Sequence, residues 1–220
     1  LVFLAFDVRA RDVRERMYEV LDSRPISNLE FVVGRGMGLA LMAFIPLVVL
    51  SVILQSFGSL ALLLEWPIGD PVEPMSVIGL LISAFATFVM WSALIVFFAV
   101  TVGNRLVVAV LGLAILGLQF WGMLQLPVYM QSVLGFAAAF VPASDLLSSV
   151  GAADSLFQRF ALLVLGVGLF LVAAGVHPRL DDARRQSLSA GAGLCVVAAL
   201  MLGGLFMYQQ TRITCNARAP

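Results

Sequence analysis

Uncharged apolar runs of 17 to 24 residues alternate along this chain with shorter stretches that hold its charges. Crossing a hydrocarbon core about 30 Å thick takes about 20 helical residues, because lipid offers no partner to an exposed peptide group. Five runs meet that requirement: Met37 to Phe57, Val77 to Val100, Leu106 to Leu126, Phe160 to Val176 and Leu188 to Tyr208. A formal charge placed at mid-span would cost about 2.5 to 3.5 kcal/mol, and none of the five carries one. The pattern therefore predicts an all-α fold, a polytopic transmembrane helix bundle with its membrane domain over residues 37–208. Residues 1–6, Leu-Val-Phe-Leu-Ala-Phe, are apolar but too short to span, and read as the end of a truncated transmembrane helix.

A different periodicity occupies residues 7–36. Val13, Met17, Val20 and Leu21 fall on one helical face while Asp12, Arg14, Glu15, Arg16 and Glu19 cover the rest, the pattern of a short amphipathic helix. The pairs Asp7/Arg11, Arg11/Glu15 and Asp12/Arg16 stand at i, i+4 and partly neutralise one another. Arg24-Pro25 ends that helix, since proline lacks the amide hydrogen and clashes with the preceding turn. Ser27 and Glu30 then have the spacing of a capping box, and Ile26 and Phe31 that of a hydrophobic staple. Together they predict a stiff helix, break, helix elbow that leads through Gly34-Arg35-Gly36 into the first full span.

Charge position decides orientation. The 13 arginines balance 13 aspartates and glutamates, and lysine is absent, so no basic field recruits nucleic acid. Ten arginines lie in residues 7–36, at Arg105 and in residues 177–187, whereas the alternate connections hold only Arg159, Arg212 and Arg218. The positive-inside rule places the first group in the cytoplasm, with residues 127–159 and the tail 209–220 on the outer side. Composition agrees: 61% of residues are apolar and 12% charged, far from the roughly 25% charged of a soluble domain. Two cysteines, Cys195 and Cys215, make neither a disulfide framework nor a thiolate metal site.

Candidate chemistry is sparse. The five runs hold no Asp, Glu, His, Lys or Arg, so neither a nucleophile with its base nor paired carboxylates stand at membrane depth; catalytic residues and a metal site are expected to be absent. His177, followed by Pro178 and near Asp181 and Asp182, reads as a helix-ending turn rather than a metal ligand. Asp154 and Arg159 flank the start of the fourth run and read as a solvated helix terminus, with mutual pairing as the alternative. Trp66, Trp121 and Tyr129 suit interfacial positions, Trp91 suits packing between helices, and Pro46 should kink its span. Gly112, Gly117, Gly166, Gly168, Gly203 and Gly204 should let helices approach closely.

The elbow carries a family resemblance. Glu19-Val20-Leu21, Arg24-Pro25-Ile26-Ser27, Glu30 and Gly34-Arg35 resemble the cytoplasmic coupling elbow of ABC transporter permeases of the type-2 export class. The segment 127–159, with its short apolar piece Val133 to Val141, Pro142 and the polar stretch from Ser144, resembles that family's outer re-entrant or interfacial helix pair. The resemblance covers residues 1 to about 187; the span Leu188 to Tyr208 lies beyond it and suggests a further module.

The resemblance implies a permease subunit of an ATP-driven exporter in a bacterial inner membrane. ATP and Mg would be bound by a partner ABC-type ATPase, with no cofactor in this chain and a second permease half or a homodimer across the bilayer. It implies that Glu15, Glu19, Asp22, Arg24, Pro25, Ile26, Ser27, Glu30 and Arg35 couple to the ATPase, and it leaves the substrate-binding residues unknown. Two bland readings stand beside it: the elbow as a lipid anchor with Arg35 snorkelling to the interface, and the chain as a non-transporting membrane anchor or assembly subunit for an extracytoplasmic domain.

Overall fold

The computed structural model describes residues 27–66, 73–102, 104–126, 135–136, 152–177 and 184–216. Among them are five helices: α1 (Asn28–Leu63), α2 (Pro74–Val102), α3 (Arg105–Gln125), α4 (Ala152–Val176) and α5 (Arg184–Asn216), with no strand among the described residues. All five are long and apolar enough to cross a membrane. The chain is thus an α-helical integral membrane protein by length and composition. The truncated helix 1–6, the amphipathic helix Arg11 to Asp22 and most of the outer segment 127–159 lie outside the described residues.

Several helices run past their apolar runs because capping chemistry, not lipid, sets their ends. α1 begins at the capping box: Ser27 Oγ accepts from the Glu30 amide at 3.2 Å, and Glu30 Oε2 accepts from the Ser27 amide at 3.0 Å. It continues through Pro46 for 36 residues. Its far end closes with Glu65 in the left-handed region at φ 54°, where the amides of Glu65 and Trp66 reach the carbonyls of Leu62 and Ala61 at 3.2 and 2.9 Å. That bond pair satisfies two of the orphan carbonyls at the end of the helix. Asn104 caps α3 by accepting from the Leu106 amide at 3.1 Å, which explains how so short a link reverses the chain after α2. α5 extends through Asn216, so residues 209–216 are helical where a tail was expected.

The packing is uneven. α4 forms the most extensive contacts, with α5 and with α2; α1 lies against α2 and more lightly against α4, and α3 leans on α2. About half of the apolar stretch of α2 and of α4 is buried (56% and 50%), against 6% for α1 and 11% for α3. The core accordingly follows the α2–α4 seam. Val32 and Ala40 of α1, Val89, Ala93 and Val96 of α2, and Phe170, Ala173 and Ala174 of α4 form its larger cluster. Trp91 lies buried between helices as expected, while Trp66 and Trp121 are exposed.

Glycine contacts only partly follow the expectation. A Cβ on Gly168 would come within 2.9 Å of Cys195 Sγ, and one on Gly166 within 3.3 Å of the Met90 backbone, so both admit close neighbours. Gly117, Gly203 and Gly204 face open space instead. Closer still is Gly191, whose added Cβ would stand 2.7 Å from the Val172 amide nitrogen and 2.8 Å from the Gly168 carbonyl oxygen. The alternating helices define two ends, a proximal end with Ser27, Asn104, His177 and Arg184, and a distal end with Trp66, Glu73, Leu126 and Asp154.

Candidate functional site

Two polar constellations interrupt the apolar bundle. At the proximal end, the first turns of α1 press on the last turns of α4. Val32 and Asn28 are buried there, and the Phe31 ring meets the His177 ring edge-on with centroids 5.6 Å apart. Arg35, one turn further along α1, lays its guanidinium 4.2 Å from the Phe31 ring centroid. That cation–π contact holds the arginine against its own helix. On the same face Gly36 receives the Phe170 ring so closely that a Cβ would overlap its Cε1 and Cζ atoms.

His177 itself ends α4, its amide donating to the Ala173 carbonyl at 3.0 Å. Arg184, opening α5, donates from Nε to the Gly175 carbonyl at 3.0 Å. A cation on the last carbonyls of a helix satisfies an orphan acceptor and opposes the negative end of the helix dipole. The proximal ends of α1, α4 and α5 are therefore joined by directional contacts. Of the residues assigned to coupling, Ser27 and Glu30 meet in the capping box and Arg35 stacks nearby, whereas Glu15, Glu19, Asp22, Arg24, Pro25 and Ile26 lie outside the described residues. Asp181 and Asp182 do as well, and among the described residues no group of three His, Cys, Asp or Glu could hold a metal ion.

The second constellation was not legible as a site. Arg159 is 1% exposed. Its Nη1 donates to Thr87 Oγ1 of α2 at 2.9 Å, and its Nη2 to the Gly135 carbonyl at 3.3 Å. Thr87 Oγ1 passes its own hydrogen to the Ser83 carbonyl at 2.9 Å, so a hydroxyl lone pair is turned toward the guanidinium. Asp154 does not pair with Arg159; its Oδ2 accepts from Gln209 Nε2 of α5 at 3.4 Å.

The solvated-terminus reading of Arg159 is thereby corrected: the helix of the fourth run starts eight residues before that run and carries this charge on a buried face. α4 begins at Ala152, which puts Arg159 in its third turn and on the side that meets α2. A run of uncharged letters marks where lipid is tolerated, but it does not show where a helix starts or which neighbour covers its first turns. The nearest sequence signal is the spacing of Ser83 and Thr87, two hydroxyls at i, i+4 on one face of an otherwise apolar span. One turn further along both helices, Trp91 and Leu162 form an apolar floor with Met90, flanked by Leu94, Ile115, Leu165 and Phe136.

Compared with known proteins, the chain matches no family model, no curated protein and no solved structure.

Proposed function

We infer that this chain is the membrane-spanning permease subunit, or part of one, of an ATP-driven ABC exporter. ATP and Mg belong to a partner ATPase, and the proximal end of the bundle faces it from a bacterial inner membrane. The observation that carries the reading is the unbroken course of α1 from the Ser27–Glu30 capping box across the whole bundle, with its first turns engaged on α4 through Phe31 and His177. A displacement applied just before Ser27 would reach both α1 and the α4 terminus, because the Phe31–His177 edge contact and the close fit of Gly36 on the Phe170 ring join them. The sparse burial of α1 and α3 suits helices that a second permease half covers, or that shift against one during transport. Such coupling works only if the ATPase contact differs between nucleotide states.

The test is co-purification from the native host under mild conditions, comparing wild type with Glu19→Arg and Pro25→Gly. An ABC-type ATPase should accompany the wild type and be lost from both variants. Its absence from the wild type, or its retention by both variants, overturns the reading in favour of a membrane anchor without transport of its own.

A further inference from the structure

We propose that Arg159 is the recognition point for a phosphate or carboxylate anion held between α2 and α4. A guanidinium keeps its charge in proteins, and this one is buried, with neutral hydrogen-bond partners among the described residues. Its hydrogen-bond partners are the Thr87 hydroxyl and the Gly135 carbonyl, and no carboxylate among the described residues pairs with it. Burying a charge against neutral partners is strongly unfavourable, and the Thr87 bond that ties α2 to α4 uses only one corner of the guanidinium.

The unused chemistry has a direction. Among the described residues Nε has no hydrogen-bond partner, and Nη2, on the same edge of the guanidinium plane, makes the 3.3 Å bond to Gly135. That edge is the one that receives two oxygens of a carboxylate or phosphate in parallel. Thr87 meanwhile occupies Nη1 from the opposite corner and holds the plane in place, its lone pair oriented by the bond to Ser83. The Gly135 carbonyl thus stands as a neutral oxygen where an anionic one would bind more strongly. Beside the cation lies the apolar floor of Trp91 and Leu162. The two-donor edge takes a pair of anionic oxygens whether they belong to a lipid headgroup or to a free anion. The assignment goes beyond the transport reading and does not rest on it.

The experiment uses the purified, delipidated protein with tail-labelled phosphatidylglycerol and phosphatidylcholine, and with inorganic phosphate as competitor. Wild type should bind phosphatidylglycerol at least about tenfold more tightly than phosphatidylcholine, the effect of a single extra charge-assisted contact. Arg159→Gln should bring that ratio close to one. Arg159→Lys, which keeps the charge and loses the two-donor edge, should fall between them; it alone decides the matter if Arg159→Gln does not fold. Displacement of phosphatidylglycerol by millimolar phosphate would assign the site to soluble anions, and resistance to phosphate would assign it to the lipid headgroup. Equal binding of the two lipids by wild type with no effect of phosphate overturns the proposal, as does full preference retained by Arg159→Gln or Arg159→Lys. ATPase co-purification plays no part in this measurement, so its failure and that of the transport reading are separate events.

Discussion

Arg159 of α4 and Thr87 of α2 are joined by a 2.9 Å hydrogen bond in which the hydroxyl accepts from Nη1 while donating onward to the Ser83 carbonyl. The bond ties the two most buried helices at a point where apolar packing alone gives no register. Thr87→Val keeps the shape and removes the acceptor, leaving another guanidinium hydrogen unsatisfied. The expected loss is about 1 to 3 kcal/mol, read from reversible unfolding in mixed micelles. In a double-mutant cycle with Arg159→Met, the valine should cost much less in the methionine background; equal cost in both backgrounds would rule out the coupling.

The capping box predicts a local effect. Ser27→Ala removes the acceptor for the Glu30 amide and should cost about 1 kcal/mol. Hydrogen exchange over the first two turns of α1 should accelerate while exchange near Pro46 stays unchanged. Uniform acceleration along α1 would mean that the box does not define this terminus.

At the other end of α1, Glu65 is held at φ 54° without being glycine. The left-handed conformation costs a side-chain-bearing residue about 1 to 2 kcal/mol, which glycine does not incur. Glu65→Gly should therefore raise stability by up to about 1 kcal/mol after the larger backbone entropy of the unfolded glycine is subtracted. A lower unfolding midpoint in this variant would show that the glutamate side chain compensates for its backbone.

Two glycines of α5 should respond oppositely to the same change. Gly191→Ala drives a methyl group into the backbone of α4 at Val172 and Gly168, and overpacking of this kind costs about 1 to 3 kcal/mol. Gly193→Ala meets nothing within 4 Å and gains helix propensity, so it should be neutral or stabilising. Unfolding midpoints of the two variants check the pair, and similar values would mean that α4 and α5 separate without resistance.

Legibility differed from residue to residue. The Ser27–Glu30 box was readable because both partners lie three residues apart and the chemistry is local. Trp91 was readable as a packed residue because it sits in the middle of an apolar run, far from any interface. Arg159 was misread because its environment comes from Thr87 and Gly135, residues distant in the chain, whose approach no local pattern encodes. Gly191 was missed for the same reason: a glycine facing lipid and one facing another backbone look identical in sequence. The Phe31–His177 contact, joining the start of one helix to the end of another, was equally out of reach.

Five membrane-length helices and the start of α1 follow from the chain alone, since hydropathy and capping depend on neighbours in sequence and on the thickness of a bilayer. Which faces meet is a different matter. Almost every face of these helices is apolar, and in lipid an apolar side chain gains little by choosing one neighbour over another. Only the tertiary structure decides the arrangement, through the few contacts that discriminate: a guanidinium that must find oxygen acceptors, and glycines that admit a backbone where a methyl group would not fit.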